Sequence, residues 1–229
     1  MLAVSHGTNS PEGRQAIAWL VDAVAQALPH VNVSCSFVDV QQPDLKAGLD
    51  AIEQADGVVV VPLLLSAGYH VRVDIARDLI DHAGEARLTP ALGPDDALVQ
   101  LLASRLARAG LGPGDSVMLA AAGSSDRRAV QDCLETGRQL GALLRRPVTV
   151  GFLSAAAPRL STAIETAREL NPGGRIVVAS YLLAPGYFAE LAASAGGDVV
   201  SEPLLMTGQP PPVQLVDLVV RRYRAALAA

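Results

Sequence analysis

Short apolar runs alternate along this chain with longer segments whose apolar residues recur every three or four positions. Residues 2–5 form the first apolar run, which predicts a strand. The segment 11–28 has helical spacing instead, carried by Ile17, Leu20, Val21, Val24 and Leu28. It predicts an amphipathic helix in which Pro11 takes the first position and Asn9 or Ser10 is the cap.

The same alternation continues through the first half of the chain. It predicts further strands over 31–40, 57–65 and 86–92, and further helices over 43–55, 71–83 and 95–109. The run "GVVVVPLLL" at 57–65 is typical of a strand buried on both faces of a sheet. Strands that alternate with helices indicate a parallel sheet with right-handed crossovers.

The second half of the chain repeats the first. Blocks 4–9, 37–45, 58–70 and 89–106 resemble, in the same order, blocks 120–125, 152–160, 176–188 and 202–223. We therefore predict two homologous halves, 1–112 and 114–229, joined by "GLGPGD" at 110–115. The fold class is α/β, with two small units that each hold a four-stranded parallel sheet and face each other across a cleft.

The composition excludes several classes of function. The formal net charge of −5 excludes the basic footprint of a nucleic-acid-binding protein. No apolar run approaches the ~20 residues that span a bilayer, and the first residues do not resemble a signal peptide, so we expect a cytoplasmic protein without membrane partners. Cys35 and Cys133 stand singly, which predicts two buried thiols in a reducing compartment and no metal cluster.

Three candidate metal ligands fall where the first three strands of the first half end. They are His6, Asp39 and His70, and ligands of open parallel sheets bind at this edge. Two imidazoles and a carboxylate suit a divalent transition metal, and imidazole also serves as a base near neutral pH. The alternative is that each is a loop residue with a backbone hydrogen bond. We place His30 in a surface turn and His82 at a helix end, outside the site.

The second half lacks all three groups. Ala122, Ser154 and Phe188 stand opposite His6, Asp39 and His70, whereas the features retained in both halves include Gly123, Pro158, Gly186 and Tyr187. We infer that the chemistry is confined to the first half. The second half then supplies architecture and the opposite wall of the cleft.

The stretches "SHGTNSPEG" and "PLLLSAGYHVRVDI" resemble the sirohydrochlorin chelatase family, within the class II tetrapyrrole chelatases. The resemblance rests on His6-Gly7-Thr8 and on Tyr69-His70 followed by Asp74-Ile75, and it spans both halves because longer members contain two such units. This sequence departs from the family where Thr-Asn-Ser replaces the usual Ser-Arg-Asp after His-Gly. That change removes a basic group at Asn9.

The resemblance implies two flavodoxin-like units around a tetrapyrrole cleft. It implies a ferrochelatase or cobaltochelatase that inserts Fe2+ or Co2+, with Ni2+ as a further alternative, into sirohydrochlorin during sirohaem or cobalamin synthesis. His6 and His70 match the family's active-site histidines, and Asp39 lies where Glu is more usual. The metal is a substrate, so we expect no permanent cofactor. We also expect a monomer.

A substrate rich in carboxylates predicts a cationic rim to the cleft. Arginines in or near the loops at the relevant strand ends are Arg14, Arg72, Arg127, Arg128 and Arg159. Apolar walls are predicted from Leu64, Leu65, Leu182, Leu183, Tyr187 and Phe188. The alternatives are solvated surface arginines and, for Phe188, an aromatic ring buried against its own strand.

Two rival functions are open at this point. A histidine phosphatase uses Arg-His-Gly after its first strand, but here Ser5 precedes His6 and the duplication is left unexplained. A non-catalytic carrier of tetrapyrrole or metal would share the cleft and bind without turnover.

Overall fold

The computed structural model describes residues 1–52, 57–66, 68, 75, 79 and 86–228. Most of the helix predicted over 71–83 therefore lies outside the described residues, as do His70, Arg72 and His82.

Two parallel sheets of four strands each organise the molecule. The first contains β1 (Leu2–Ser5), β2 (Ser34–Phe37), β3 (Val58–Pro62) and β4 (Ala86–Leu88), in the order β2-β1-β3-β4. The second contains β5 (Ser116–Ala121), β6 (Val148–Phe152), β7 (Ile176–Tyr181) and β8 (Val199–Val200), in the order β6-β5-β7-β8. The predicted α/β architecture of two four-stranded parallel sheets is confirmed.

The helices lie between and over these strands. In the described part of the first half they are α1 (Pro11–Ala27), α2 (Leu45–Asp50) and α3 (Asp96–Arg108). In the second half they are α4 (Arg127–Leu144), α5 (Leu160–Leu170), α6 (Tyr187–Ala193) and α7 (Val213–Leu227). Ser10 caps α1, because its hydroxyl oxygen accepts a hydrogen bond from the Gly13 N–H at 3.1 Å.

Four predicted elements are shorter in the structure than their sequence patterns suggest. The strand predicted over 31–40 is confined to Ser34–Phe37, because the chain then turns and the Phe37 N–H bonds to the Pro43 carbonyl at 3.0 Å. The helix predicted over 43–55 begins only at Leu45, where the Asp44 carboxylate accepts from the Ala47 N–H at 2.8 Å, and it ends at Asp50. The strands predicted over 57–65 and 86–92 are likewise confined to β3 and β4.

The last helix of each half packs against the sheet of the other half. Helix α3 contacts β7 and α4, whereas α7 contacts β3 and α1. One apolar cluster accordingly contains buried residues of both sheets, such as Ala3, Val61, Leu119 and Val177. The opposite faces of the sheets have separate cores, one around Leu2 and Val4 and the other around Met118 and Ala120. The halves thus share the core between their sheets.

Two arginines connect the halves in opposite directions, and we call them the reciprocal arginine clamps. Arg105 of α3 donates to the carbonyls of Pro203 at 3.2 Å and Leu204 at 2.8 Å. Arg222 of α7 donates to the carbonyls of Ala91 at 3.1 Å and Leu92 at 2.9 Å. Each clamp binds the segment that follows the last strand of the other half.

None of the helices in the described part of the chain has the length and apolar character needed to cross a membrane.

Candidate active site

The structure brings His6 and Asp39 together. They follow β1 and β2, which are neighbours in the sheet with Ser5 paired to Phe37. Beyond the strand ends the pairing continues, because the Asp39 N–H donates to the His6 carbonyl at 3.0 Å. His6 and Asp39 are both exposed. The backbones of His6 and Asp39 are therefore joined at the predicted sheet edge, so that a histidine and an aspartate lie at adjacent strand ends.

Local contacts hold the His6 loop against the turn after β2. The Thr8 N–H donates to the Gln41 side-chain oxygen at 2.9 Å. The Asp39 carboxylate accepts from the Val40 N–H at 2.7 Å, and Val40 has a left-handed backbone with φ 68°. Gly7 also has a positive φ, 94°, and a Cβ there would collide with the Asp39 carbonyl.

Arg14 braces the same loop. Its Nε donates to the Thr8 carbonyl at 2.9 Å, and Nη2 lies 3.5 Å from the Asn9 side-chain oxygen. The guanidinium is exposed, so its remaining donors stay available to an anion. Arg14 therefore shapes the loop beside His6 in addition to its predicted contact with substrate.

The third predicted ligand, His70, lies outside the described residues, as does Arg72. Within the described ranges no group of three or more His, Cys, Asp or Glu side chains could hold a metal ion. The pair His6 and Asp39 is thus the part of the predicted ligand set that the structure describes. His30 lies exposed in a turn, away from this set as predicted.

The second half repeats the loop geometry without the ligand side chains. The Ser154 N–H donates to the Ala122 carbonyl at 2.8 Å, the same bond that joins Asp39 to His6. Gly123 has φ 92°, and a Cβ there would collide with the Ser154 carbonyl. The Ser154 hydroxyl donates back to the Ala122 carbonyl at 3.0 Å. The two loops therefore share a backbone and differ in the chemistry of their side chains.

Two aromatic rings of the second half are exposed at the start of α6. Tyr187 is 68% exposed and Phe188 is 37% exposed, and the rings meet edge to face with centroids 5.7 Å apart. Phe188 lies on a helix, so the alternative of a ring buried against its own strand is wrong. The preceding residues touch the first half, since a Cβ at Gly186 would lie 3.2 Å from the Thr8 hydroxyl. The aromatic pair thus follows a segment that meets the His6 loop.

A cavity of about 790 Å3 lies where the segment after β4 faces the beginning of α4. Its described lining includes Leu64, Pro90, Pro94, Arg127, Arg128 and Arg222. Arg127 and Arg128 are exposed at the helix N-terminus, where the helix dipole adds to their attraction for anions. Neither His6 nor Asp39 is among the described lining residues.

The other predicted wall and rim residues have different environments. Leu182 is 6% exposed within the separate core of the second half, which excludes it from a cleft wall. Leu65 and Leu183 are partly buried against the shared core. Arg159 is exposed and donates to the Leu153 carbonyl at 3.0 Å, so it supports the loop after β6.

The two cysteines are shielded thiols. Burial raises the pKa of both Cys35 and Cys133 to about 11, which keeps them protonated near neutral pH. Cys133 is buried, as predicted, whereas Cys35 is only partly buried. Protonated thiols are poor metal ligands, so neither cysteine is a candidate metal ligand near neutral pH.

The roles of Gln41 and Arg222 in holding loops in place were not predicted from the sequence. Gln41 has no motif signal, because its role depends on the turn that brings it to the Thr8 N–H. Arg222 had a detectable signal, since an arginine occurs at the corresponding place in both repeats, as Arg105 and Arg222.

Comparisons with known proteins agree with this architecture. The family model described as CbiX matches residues 1–109 and 116–191. A sirohydrochlorin cobaltochelatase of Sulfolobus acidocaldarius is 28% identical over 113 residues, which are 48% of this chain and 90% of that protein. That relative is therefore about half as long as this chain.

Solved structures with the same fold include two SirB proteins. SirB from Bacillus subtilis with Fe3+ has a TM-score of 0.77 at 22% identity, over 99% of this chain and 94% of that one. SirB from Bacillus subtilis subspecies spizizenii in complex with cobalt has a TM-score of 0.69 at 18% identity, over 98% and 93%. The resemblance to the sirohydrochlorin chelatase family is thereby confirmed. Because the CbiX family model matches most of the length of this chain, the chain belongs to the CbiX family.

Proposed function

We propose that this protein inserts a divalent metal ion into sirohydrochlorin. The observation that carries the proposal is the backbone hydrogen bond of 3.0 Å from the Asp39 N–H to the His6 carbonyl, which joins two candidate ligand residues at adjacent strand ends. The chain belongs to the CbiX family, and a relative from Sulfolobus acidocaldarius is a sirohydrochlorin cobaltochelatase. The absence of the same side chains from the second-half loop supports a one-sided active site.

Metal insertion exchanges two pyrrole N–H protons for one divalent cation. A neutral imidazole can bind the incoming metal and can accept a proton near neutral pH. We assign both tasks to His6 and to His70. The Asp39 carboxylate offsets the positive charge while the metal passes to the macrocycle, and two protons leave for solvent.

The substrate binds, on this proposal, with its carboxylates toward the cavity that Arg127 and Arg128 line. Guanidinium groups bind carboxylates through paired hydrogen bonds, and apolar residues such as Leu64 suit the face of the ring. Tyr187 and Phe188 supply an exposed aromatic surface on the second half. Arg14 and Arg72 complete the cationic set.

The physiological metal is Fe2+ or Co2+ on this proposal, with Ni2+ as a further alternative. Imidazole and carboxylate groups accept all three, so geometry and availability decide which ion is used. The related SirB structures contain Fe3+ in one case and cobalt in the other. Insertion rates measured side by side will rank the three ions, and the preferred ion will indicate whether the product serves sirohaem or cobalamin synthesis.

Replacement of either histidine tests the mechanism. We expect His6→Ala and His70→Ala each to lower the insertion rate by about 100-fold or more, because general acid-base groups contribute at least that much. The rate is read from the absorbance change of sirohydrochlorin with Fe2+ or Co2+, above the spontaneous reaction. His30→Ala is the matched control, since His30 is exposed in a turn outside the site.

Wild-type rates in both histidine variants would contradict these roles. A wild-type protein that binds sirohydrochlorin without accelerating insertion would instead be a carrier.

A further inference from the structure

The reciprocal arginine clamps make the same kind of contact but differ in what they border. Arg222 lines the 790 Å3 cavity while its guanidinium holds the carbonyls of Ala91 and Leu92. Arg105 holds the carbonyls of Pro203 and Leu204, and none of these three is among the described residues that line the cavity. The difference separates a structural contact from one that also shapes a binding site.

The segment 89–94 forms a wall of the cavity and is anchored at several points. The Thr89 N–H donates to the Val60 carbonyl at 3.0 Å, and the Leu92 N–H donates to the Leu64 carbonyl at 2.8 Å. These bonds pair the N–H groups of Thr89 and Leu92, while the carbonyls of Ala91 and Leu92 accept from the guanidinium of Arg222. Arg222 is therefore the side chain that holds the wall from the side of α7.

Arg222 also reaches the base of this wall. Its Nη2 lies 3.4 Å from a carboxylate oxygen of Asp95, which accepts a second arginine, Arg221, at 2.9 Å. The Asp95 carboxylate in turn caps α3 by accepting from the Ala97 N–H at 3.0 Å. A single guanidinium thus connects the cavity wall to the start of α3.

We propose that Arg222 is a positioning residue for the substrate, because it fixes the wall of residues 89–94 opposite Arg127 and Arg128. The inference rests on the proposed function, in which those two arginines bind substrate carboxylates. The distance between the wall and the two guanidinium groups sets whether the macrocycle can touch both. Arg222 acts through the wall and takes no part in metal transfer.

The planar fork of arginine suits this task better than lysine. Arg222 donates to two backbone carbonyls from two nitrogens while a carboxylate lies beside it. A lysine ammonium is a single point charge on a flexible stem and cannot reproduce that fixed set of donors. Arg222→Lys therefore keeps the positive charge and loosens the wall.

The test compares Arg222→Lys with Arg105→Lys, the matched change in the other clamp. Binding of metal-free sirohydrochlorin is measured by its fluorescence, the KM and kcat of insertion by absorbance, and Tm by circular dichroism. We expect Arg222→Lys to raise both Kd and KM about tenfold, the scale of one lost charged hydrogen bond, with kcat within about twofold of wild type. Arg105→Lys should lower Tm at least as much as Arg222→Lys does, because Arg105 is only 5% exposed. It should leave Kd and KM within about twofold of wild type.

Three results would overturn the inference. The first is an unchanged Kd in Arg222→Lys, which would leave Arg222 a purely structural residue. The second is an equal rise of Kd in both variants, which would reflect general loosening of the halves. The third is a wild-type protein that binds no sirohydrochlorin, which contradicts the proposed function as well. A wild-type protein that binds but does not insert metal contradicts the proposed function alone, since the comparison of Kd values still stands.

Discussion

At the scale of single residues, two glycines let the loops of the site and of its counterpart form. Gly7 and Gly123 have φ values of 94° and 92°, and a Cβ at either would collide with the carbonyl of Asp39 or Ser154. A left-handed backbone costs a residue with a side chain about 1–2 kcal/mol, before any collision is counted. The same backbone requirement therefore applies in both halves, although the candidate ligands His6 and Asp39 stand in only one of them.

Replacement of these glycines separates folding from chemistry. We expect Gly7→Ala and Gly123→Ala each to lower the free energy of unfolding by about 2 kcal/mol or more, because backbone must shift in both. Only Gly7→Ala should also reduce kcat for metal insertion, since the shifted carbonyl belongs to Asp39. Urea unfolding and the absorbance assay measure the two effects.

Gly110→Ala is the control for backbone conformation alone. Gly110 has φ 78°, and no atom of the described residues lies within 4 Å of the position that a Cβ would take there, so only the cost of about 1–2 kcal/mol applies. Equal losses of kcat in Gly7→Ala and Gly123→Ala would contradict a one-sided site.

At the scale of elements, an ion pair fastens the joint between the halves. Arg175, just before β7, donates from Nε at 3.1 Å and from Nη2 at 2.6 Å to the two carboxylate oxygens of Asp115, just before β5. Asp115 also accepts from the Gly112 N–H at 2.7 Å. The joint is thereby fixed to the beginning of the two central strands of the second sheet.

These contacts give the joint a dependence on pH. The hydrogen bonds from Arg175 hold the pKa of Asp115 below its usual value of 3.8. A carboxyl whose pKa is lower in the folded state stabilises the fold above its unfolded pKa, and the stabilisation is lost as pH falls through the folded pKa. We expect Asp115→Asn to lower Tm at neutral pH and to flatten the fall of Tm on acidification below 3.8.

Asp50→Asn is the control for this change. Asp50 pairs with Lys46 at 3.6 Å on the surface, with side chains 54% and 75% exposed, so its loss should leave Tm almost unchanged. An acid limb of the Tm curve that is the same in Asp115→Asn and wild type would contradict the contribution of the joint.

Elements with a clear pattern could be predicted from the sequence. The spacing of apolar residues gave the first strand and helix α1 within a residue, and the continuous run gave a buried β3. The strand predicted over 31–40 was too long, because alternation of residue types does not reveal that the chain turns after Phe37. The packing of α3 and α7 on the sheet of the opposite half could not be predicted, since both helices have an ordinary apolar stripe that fits either sheet.

Only part of the candidate site could likewise be predicted from the sequence. Its location followed from strand order, because the carboxyl ends of neighbouring parallel strands meet at one edge, and the structure does place His6 beside Asp39. The brace from Gln41 and the clamp from Arg222 depend on tertiary contacts, which the sequence does not specify locally. The involvement of His70 and Arg72 stays a prediction.

At the scale of the whole molecule, each half depends for its core on a helix of the other half, because α3 and α7 pack on the opposite sheets. Leu98, Leu102 and Leu106 of α3 are fully buried, and this helix packs on β7 of the other half. A separate first half would expose that apolar face and leave β3 without α7. The division into an active half, 1–112, and a supporting half, 114–229, remains a prediction about chemistry, while the packing is shared.

Expression of the halves as separate chains tests this dependence. We expect residues 1–112 alone to self-associate or aggregate, and co-expressed 1–112 and 113–229 to elute together at the size of the intact chain. Size-exclusion chromatography with light scattering measures both outcomes. A stable, folded monomer of 1–112 would show that the packing of α3 and α7 on the opposite sheets contributes little to the core.

The packing of α3 and α7 on the opposite sheets also restricts how substrate can reach the cavity. Two lobes joined by one linker can swing open about a hinge, but here each lobe is held by a helix of the other and by an arginine clamp. A hinge motion would have to break both clamps and expose the shared core at once. We therefore expect the lobes to keep a nearly fixed separation through the catalytic cycle, so that a flat macrocycle enters and leaves edgewise through a slot whose width is set when the protein folds.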